Sequence, residues 1–184
     1  DMAEFVYFKN TCRMWYPVGQ YFSSDNFDYI REAASSINKV FPTGKLILVV
    51  RGHSGSILAG GIAYILKRKD RDVLISVSRK AESTHGDNLE GISSYTVSGD
   101  THIIVVDDFV QTGETIEAIL KDLTERIEDM KVFDMLCVAN HWDEDDLTEE
   151  GGKRGTNRYW EANKRIASHF EYILCNRPDE EWEY

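Results

Sequence analysis

Cysteine is scarce in this 184-residue chain: Cys12, Cys137 and Cys175 are widely spaced and odd in number. No CxxC pair occurs, which argues against a zinc site or a disulfide framework and for a reducing compartment. The three thiols read as unreactive. Positive charge is also short, with 21 Lys and Arg against 32 Asp and Glu and a formal net charge of -11. That balance argues against general affinity for a nucleic-acid backbone, yet a local cluster of donors can still bind a small anion. Long apolar runs are missing too, since none approaches the ~18–20 residues of a membrane span. The opening DMAEFVYFKN lacks a basic start leading into an apolar core. A cytoplasmic protein with no membrane and no nucleic-acid partner is therefore expected. Internal repeats, low-complexity tracts and long linkers do not occur either. Hydrophobic content of 42% over this length predicts a single domain, 1–184, with a core that needs neither disulfides nor metal.

What is present is an alternation of apolar runs and amphipathic stretches. Asp25 reads as the cap of a helix to about Phe41, with Phe27, Ile30, Ala33, Ala34 and Ile37 near helical spacing. Pro42-Thr43-Gly44 breaks it. LILVV (Leu46–Val50) is continuously apolar, as in a strand buried on both faces. RGHSGS follows, then a helix from about Ser56 to Lys69 and a strand over Asp72–Ser78. The polar segment Ala81–Gly99 is long for a loop in a compact domain unless it is functional. Further strands are read at His102–Val106, Val132–Ala139 and Phe170–Cys175, and further helices from Thr115 to about Met130 and near Tyr159–His169. This order predicts an α/β fold: an open, mostly parallel twisted sheet flanked by helices.

In such sheets ligands bind beyond the carboxyl ends of the strands. The stretch HIIVVDDFVQTGET ends an apolar run on two adjacent carboxylates, followed by small polar residues and Gly113. Amides from Gln111 to Thr115 would open a helix whose dipole favours an anion, with the Thr112 and Thr115 hydroxyls as added donors. Asp107 and Asp108 are acceptors, suited to sugar hydroxyls or, through water, to Mg2+. A phosphate held by amides beside a diol held by carboxylates describes a ribose 5-phosphate. No GxxxxGK[ST] and no GxGxxG occurs, so a P-loop or a dinucleotide site fits worse.

IIVVDDFVQTGET closely resembles the phosphoribosyl diphosphate (PRPP) motif of type I phosphoribosyltransferases. VVRGHSGSILAGGIAYIL is similar to that family's diphosphate loop and following helix, and SVSRK to the strand entering its mobile catalytic loop. The resemblance spans about Lys45–Ala139 and implies a core near 45–140 with a small hood from about 1–44 and 140–184. It implies transfer of the 5-phosphoribosyl group from PRPP to a nucleobase, purine-like by preference, in purine salvage, with release of diphosphate and Mg2+ as cofactor. The roles it implies put Asp107 and Asp108 on the ribose hydroxyls and near the metal, and Gln111, Thr112, Gly113, Glu114 and Thr115 on the 5-phosphate. Arg51, Gly52 and His53 fall on the diphosphate, and Arg79 and Lys80 reach it as Ala81–Gly99 closes. Asn140, His141 and Trp142 fall where the base is recognised, with Trp142 as a stacking surface. The ending YILCNRPDEEWEY resembles the aromatic ends of 6-oxopurine members. A homodimer is compatible with the family and with the aromatic N-terminus.

Gln111 departs from the pattern, standing where some purine-salvage members carry an Asp proposed as general base. Glutamine takes no proton, which leaves open a non-catalytic PRPP-binding sensor of the same fold. Plainer readings stand beside each site. RGHSG also reads as a plain Gly turn, Arg79-Lys80 as a solvated strand end and His53 as a structural or surface histidine. The acidic run Asp143–Glu150 reads as a solvated loop rather than a metal site, and the N-terminal aromatics as core or a dimer contact.

Overall fold

A computed structural model describes residues 2–8, 22, 27–79, 89–92, 97, 99–153 and 158–176. Six strands form one sheet in the order β1-β6-β5-β4-β2-β3, and every ladder in it is parallel. The strands are β1 (Glu4–Tyr7), β2 (Lys45–Val50), β3 (Val73–Val77), β4 (Thr101–Asp107), β5 (Phe133–His141) and β6 (Phe170–Asn176). The helices are α1 (Asp28–Val40), α2 (His53–Arg68), α3 (Glu114–Arg126), α4 (Glu149–Lys153) and α5 (Trp160–Ala167).

Period-two alternation divides each central strand between two cores. Leu46, Leu48, Val50, Ile104 and Val106 pack under α1 and α2, joined by Ile30, Ile37, Leu58 and Ile62. Ile47, Val49, Ile103, Val105 and Val138 pack under α3 and α5, joined by Ile116, Ile119, Leu123 and Ile166. Burial on both faces is why these strands read as unbroken apolar runs.

The expected elements form, with shifted ends. Helix α2 begins at His53, three residues earlier than its apolar pattern suggests. The terminal segments, expected as a hood, contribute strands to the sheet itself: β1 pairs with β6, and β6 with β5. Lys80, Asp25 and the ending from residue 177 lie outside the described residues, as does most of the Ala81–Gly99 loop. The described part of that loop is anchored, because Leu89 and Ile92 are buried in the α3-side core.

Helices α2 and α3 leave adjacent parallel strands and run along opposite faces. From β2 the chain crosses to β3 on one side; from β4 it crosses to β5 on the other. The strand order reverses between β2 and β4, the kind of crevice where open α/β sheets hold ligands.

The acidic run is not a plain solvated loop. Glu144–Leu147 form a 3-10 turn inside a capping box: Asp143 accepts from the Asp145 amide at 2.8 Å, and Asp146 accepts from the Asp143 amide at 2.9 Å. Burial pushes the Asp146 carboxyl up from 3.8 to about 6; the Asp143 amide opposes this, and the charges of Asp143 and Asp145 add to it. The folded chain therefore holds a proton that the unfolded chain has released, and the stability linked to it is lost as pH rises from about 4 through about 6. Asp146→Asn keeps an oxygen for the capping amide and buries no charge. Thermal unfolding should show the variant matching the parent near pH 4 and exceeding it at pH 7; a gap independent of pH would refute the assignment.

Candidate functional site

A cavity of about 390 Å³ sits at the reversal between β2 and β4. Gly52, His53 and Ser54 line it from the start of α2, and residues 107–116 line it from the end of β4 into α3. Two helix N-termini thus open on one space, each presenting amides that no helical carbonyl satisfies. They differ in charge. The first turn of α2 carries no acidic residue, whereas that of α3 carries Glu114 and Glu117. Glu117 is in turn paired with Arg165 of α5 at 2.7 Å.

Glycines make this convergence possible. Gly113 caps α3 at φ +85, a left-handed conformation that side chains rarely adopt, and a Cβ there would lie 2.5 Å from Ile166 Cδ1. Gly55 lets α2 lie against the end of β4, where a Cβ would come within 2.7 Å of the Val106 carbonyl oxygen. Gly52 is different: it caps α2 in extended conformation, and a Cβ on it would meet nothing within 4 Å.

The paired carboxylates are held rather than loose. Asp107 is 8% exposed, and its Oδ1 accepts the Asp108 amide at 2.9 Å. The Asp108 carbonyl accepts the Ala139 and Asn140 amides, each at 3.0 Å, where the β5–β6 register shifts. A bulge in β5 thereby fixes the turn that carries both acids. Thr112 Oγ1 accepts the Glu114 amide at 3.4 Å.

Most of the residues expected at a phosphate site therefore come together: Gly52, His53, Asp107, Asp108 and Gln111 to Thr115 all line the cavity. The expected cations do not. The Arg51 guanidinium lies against Ser78 and Asp122, outside the described cavity lining. Arg79 bonds to Glu90 at the edge of the sheet. Among the described lining residues there is no Lys or Arg, while three carboxylates (Asp107, Asp108, Glu114) are present.

Trp142 requires a correction. It is 1% exposed, packed in the α3-side core and tilted against Phe5 at 6.5 Å, so its ring presents no face for a base. It follows the last residue of β5, and its amide continues the pairing by donating to the Asn176 carbonyl. Asn140 is half-buried, and its Oδ1 is buried with no hydrogen-bond partner among the described residues. The aromatic residue that does line the cavity is Phe109, 37% exposed. An apolar ring directly after two carboxylates was its only signal in the sequence.

Among the described residues no group of three or more His, Cys, Asp or Glu could hold a metal ion. Asp107 and Asp108 suit a magnesium ion that arrives with ligand oxygens and water, the usual mode for that ion with phosphorylated substrates. No described helix is long and apolar enough to cross a membrane.

No protein-family model and no curated protein matches the chain. Among solved structures, a hypoxanthine-guanine-xanthine phosphoribosyltransferase aligns with a TM-score of 0.45 at 14% identity, covering 92% of this chain and 81% of its own. A hypoxanthine-guanine phosphoribosyltransferase from Schistosoma mansoni in complex with IMP aligns with a TM-score of 0.38 at 15% identity, covering 95% and 84%. Neither likeness is close enough to bear on the function of this chain.

Gly55 and Gly52 predict opposite outcomes on substitution. Gly55→Ala should cost about 1–3 kcal/mol, because backbone must move to admit the methyl group. Gly52→Ser should leave stability unchanged or slightly raised, because serine is a preferred N-cap and finds open space. Denaturant unfolding of both variants checks the pair, and an equal loss would contradict the packing described for α2.

Proposed function

We propose that the protein is a phosphoribosyltransferase that moves the 5-phosphoribosyl group of PRPP to a nucleobase, purine-like by preference, and releases diphosphate. The observation that carries this reading is the pair of helix N-termini opening on one cavity beside two fixed carboxylates. PRPP has the matching parts: a monophosphate, a diol and a diphosphate on one ribose.

The α3 turn, Gln111 to Thr115, takes the 5-phosphate, with Gly113 allowing the close approach. Asp107 and Asp108 accept from the ribose 2- and 3-hydroxyls. The acid-free start of α2, with Gly52 leaving open space and His53 and Ser54 adding donors, takes the diphosphate. Bound Mg2+ would neutralise charge on the diphosphate oxygens, with Asp107 and Asp108 as the nearby carboxylates. A base nitrogen attacks C1 from the face opposite the diphosphate, the C1–O bond breaks with its electron pair leaving on diphosphate, the nitrogen's proton passes to water or to the departing diphosphate, and the anomeric centre inverts. Negative charge building on the leaving oxygen faces the α2 amides, where one well-placed donor is worth about 3–4 kcal/mol. Phe109, at the cavity, is placed to pack against a flat acceptor in the role first read for Trp142.

Gln111 favours a second reading. It is exposed at the cavity yet takes no proton, which suits a protein that binds PRPP without transferring it. One experiment separates the two readings. The protein is incubated with PRPP, Mg2+ and each of adenine, hypoxanthine, guanine, xanthine, uracil and orotate, and diphosphate release is followed. Base-dependent release is the expected result; PRPP binding without release from any base would establish the sensor. Asp107→Asn with Asp108→Asn should weaken PRPP binding by about tenfold or more, the loss of charge-assisted bonds to two hydroxyls. Unchanged affinity would overturn the site assignment.

A further inference from the structure

Arg51 stands one residue before the cap of α2, and among the described residues its side chain is engaged at one nitrogen only. Nη1 donates to Ser78 Oγ at 2.9 Å and lies 3.5 Å from Asp122 Oδ2; Ser78 Oγ donates to that same carboxylate oxygen at 2.5 Å. The link is sheltered. Ser78 is fully buried, and the Arg51 and Asp122 side chains are 18% and 14% exposed. Three elements meet there: the end of β2, the residue after β3, and the eighth position past the start of α3. Nε and Nη2 of Arg51 make no hydrogen bond among the described residues.

The division of the guanidinium is informative. Nε and Nη2 form the edge that meets a phosphate with two parallel bonds, and Nη1 is not needed for it. A long arginine stem free in water would lose its rotamer freedom when a ligand arrives; one already held loses less. A largely buried ion pair is also weak evidence for a stabilising role, because desolvation of both charges offsets their attraction. The cavity needs cationic help, since its described lining carries three carboxylates and neither Lys nor Arg.

We propose that Asp122 and Ser78 are positioning residues for Arg51: they hold Nη1 so that the Nε/Nη2 edge is kept for an outer phosphate of the diphosphate docked at the start of α2. This inference rests on reading the cavity as a PRPP site, and it gives a role to Ser78, within SVSRK, and to Asp122, which lies outside every quoted motif. Asp122 gave no signal in the sequence because it sits mid-helix among other charges, fifteen residues from Asp107.

The test is calorimetric titration of the parent, Asp122→Asn, Ser78→Ala, Arg51→Gln and the Asp122→Asn/Arg51→Gln double variant. The ligands are inorganic diphosphate with Mg2+ and, separately, ribose 5-phosphate. Asp122→Asn should weaken diphosphate binding about tenfold, the size of one charge-assisted hydrogen bond, and leave ribose 5-phosphate within about twofold. In the Arg51→Gln background the same change should have no further effect, because the two residues act as one unit. Should Asp122→Asn fail to fold, Ser78→Ala is read by the same criteria. Diphosphate affinity unchanged in Asp122→Asn, equal losses for both ligands, or full additivity with Arg51→Gln would each overturn the proposal. A parent protein that binds neither ligand would reject the PRPP reading and this inference together. A parent that binds both, with Arg51→Gln unaffected, would reject only the role given to Arg51 and its holders.

Discussion

The site depends on one piece of pairing: β2 lies beside β4, and the two run parallel. Val49 stands opposite Val105, so the chain leaves both strands at the same height and on the same edge. Because α2 and α3 then depart along opposite faces, their N-termini face each other across the space between. Had either strand run the other way, RGHSG and DDFVQTGET would sit at opposite ends of the sheet. Neither motif encloses the cavity by itself; the ladder between their strands brings both to its wall.

A net charge of -11 is compatible with the anion site proposed for this cavity, because the charge is unevenly distributed around it. The main-chain amides at the two helix starts are fixed dipoles that lose no side-chain freedom on binding. The carboxylates beside them suit hydroxyls. Segregation keeps the two functions apart: the acids cluster on the β4 side, while the α2 turn carries none in its first positions. Glycine at position 55 lets that turn approach Asp107 closely, and the bulge in β5 keeps the Asp107-Asp108 turn from relaxing away.

The parts of this arrangement that were legible in the sequence are those encoded locally. LILVV and HIIVV read as strands because burial on both faces leaves no polar position to interrupt them. TGET read as a helix start because Gly113 and two threonines have few other uses after a strand. What escaped was tertiary. Strand β1 spans four residues, pairs on one side only and is partly exposed throughout, so EFVY carried no strand pattern. The α2 start was placed late because Gly-His-Ser-Gly has loop composition; the need for Gly55 lies in the backbone of β4. Trp142 looked like a ligand platform because it follows a strand end, but pairing with β6 continues through it and turns the ring into the core. Arg51 looked like a cavity cation, and only the three-dimensional contact with Asp122 and Ser78 shows where its side chain rests.

Whether α2 and α3 start as two anion-binding turns of a single site is decided by backbone amide NMR titration, comparing PRPP with Mg2+ against ribose 5-phosphate. With PRPP, amides 53–55 and 112–115 should shift together along one binding curve. With ribose 5-phosphate, only the 112–115 set should move. Shifts confined to another surface, or amides 53–55 moving with ribose 5-phosphate as they do with PRPP, would contradict this reading.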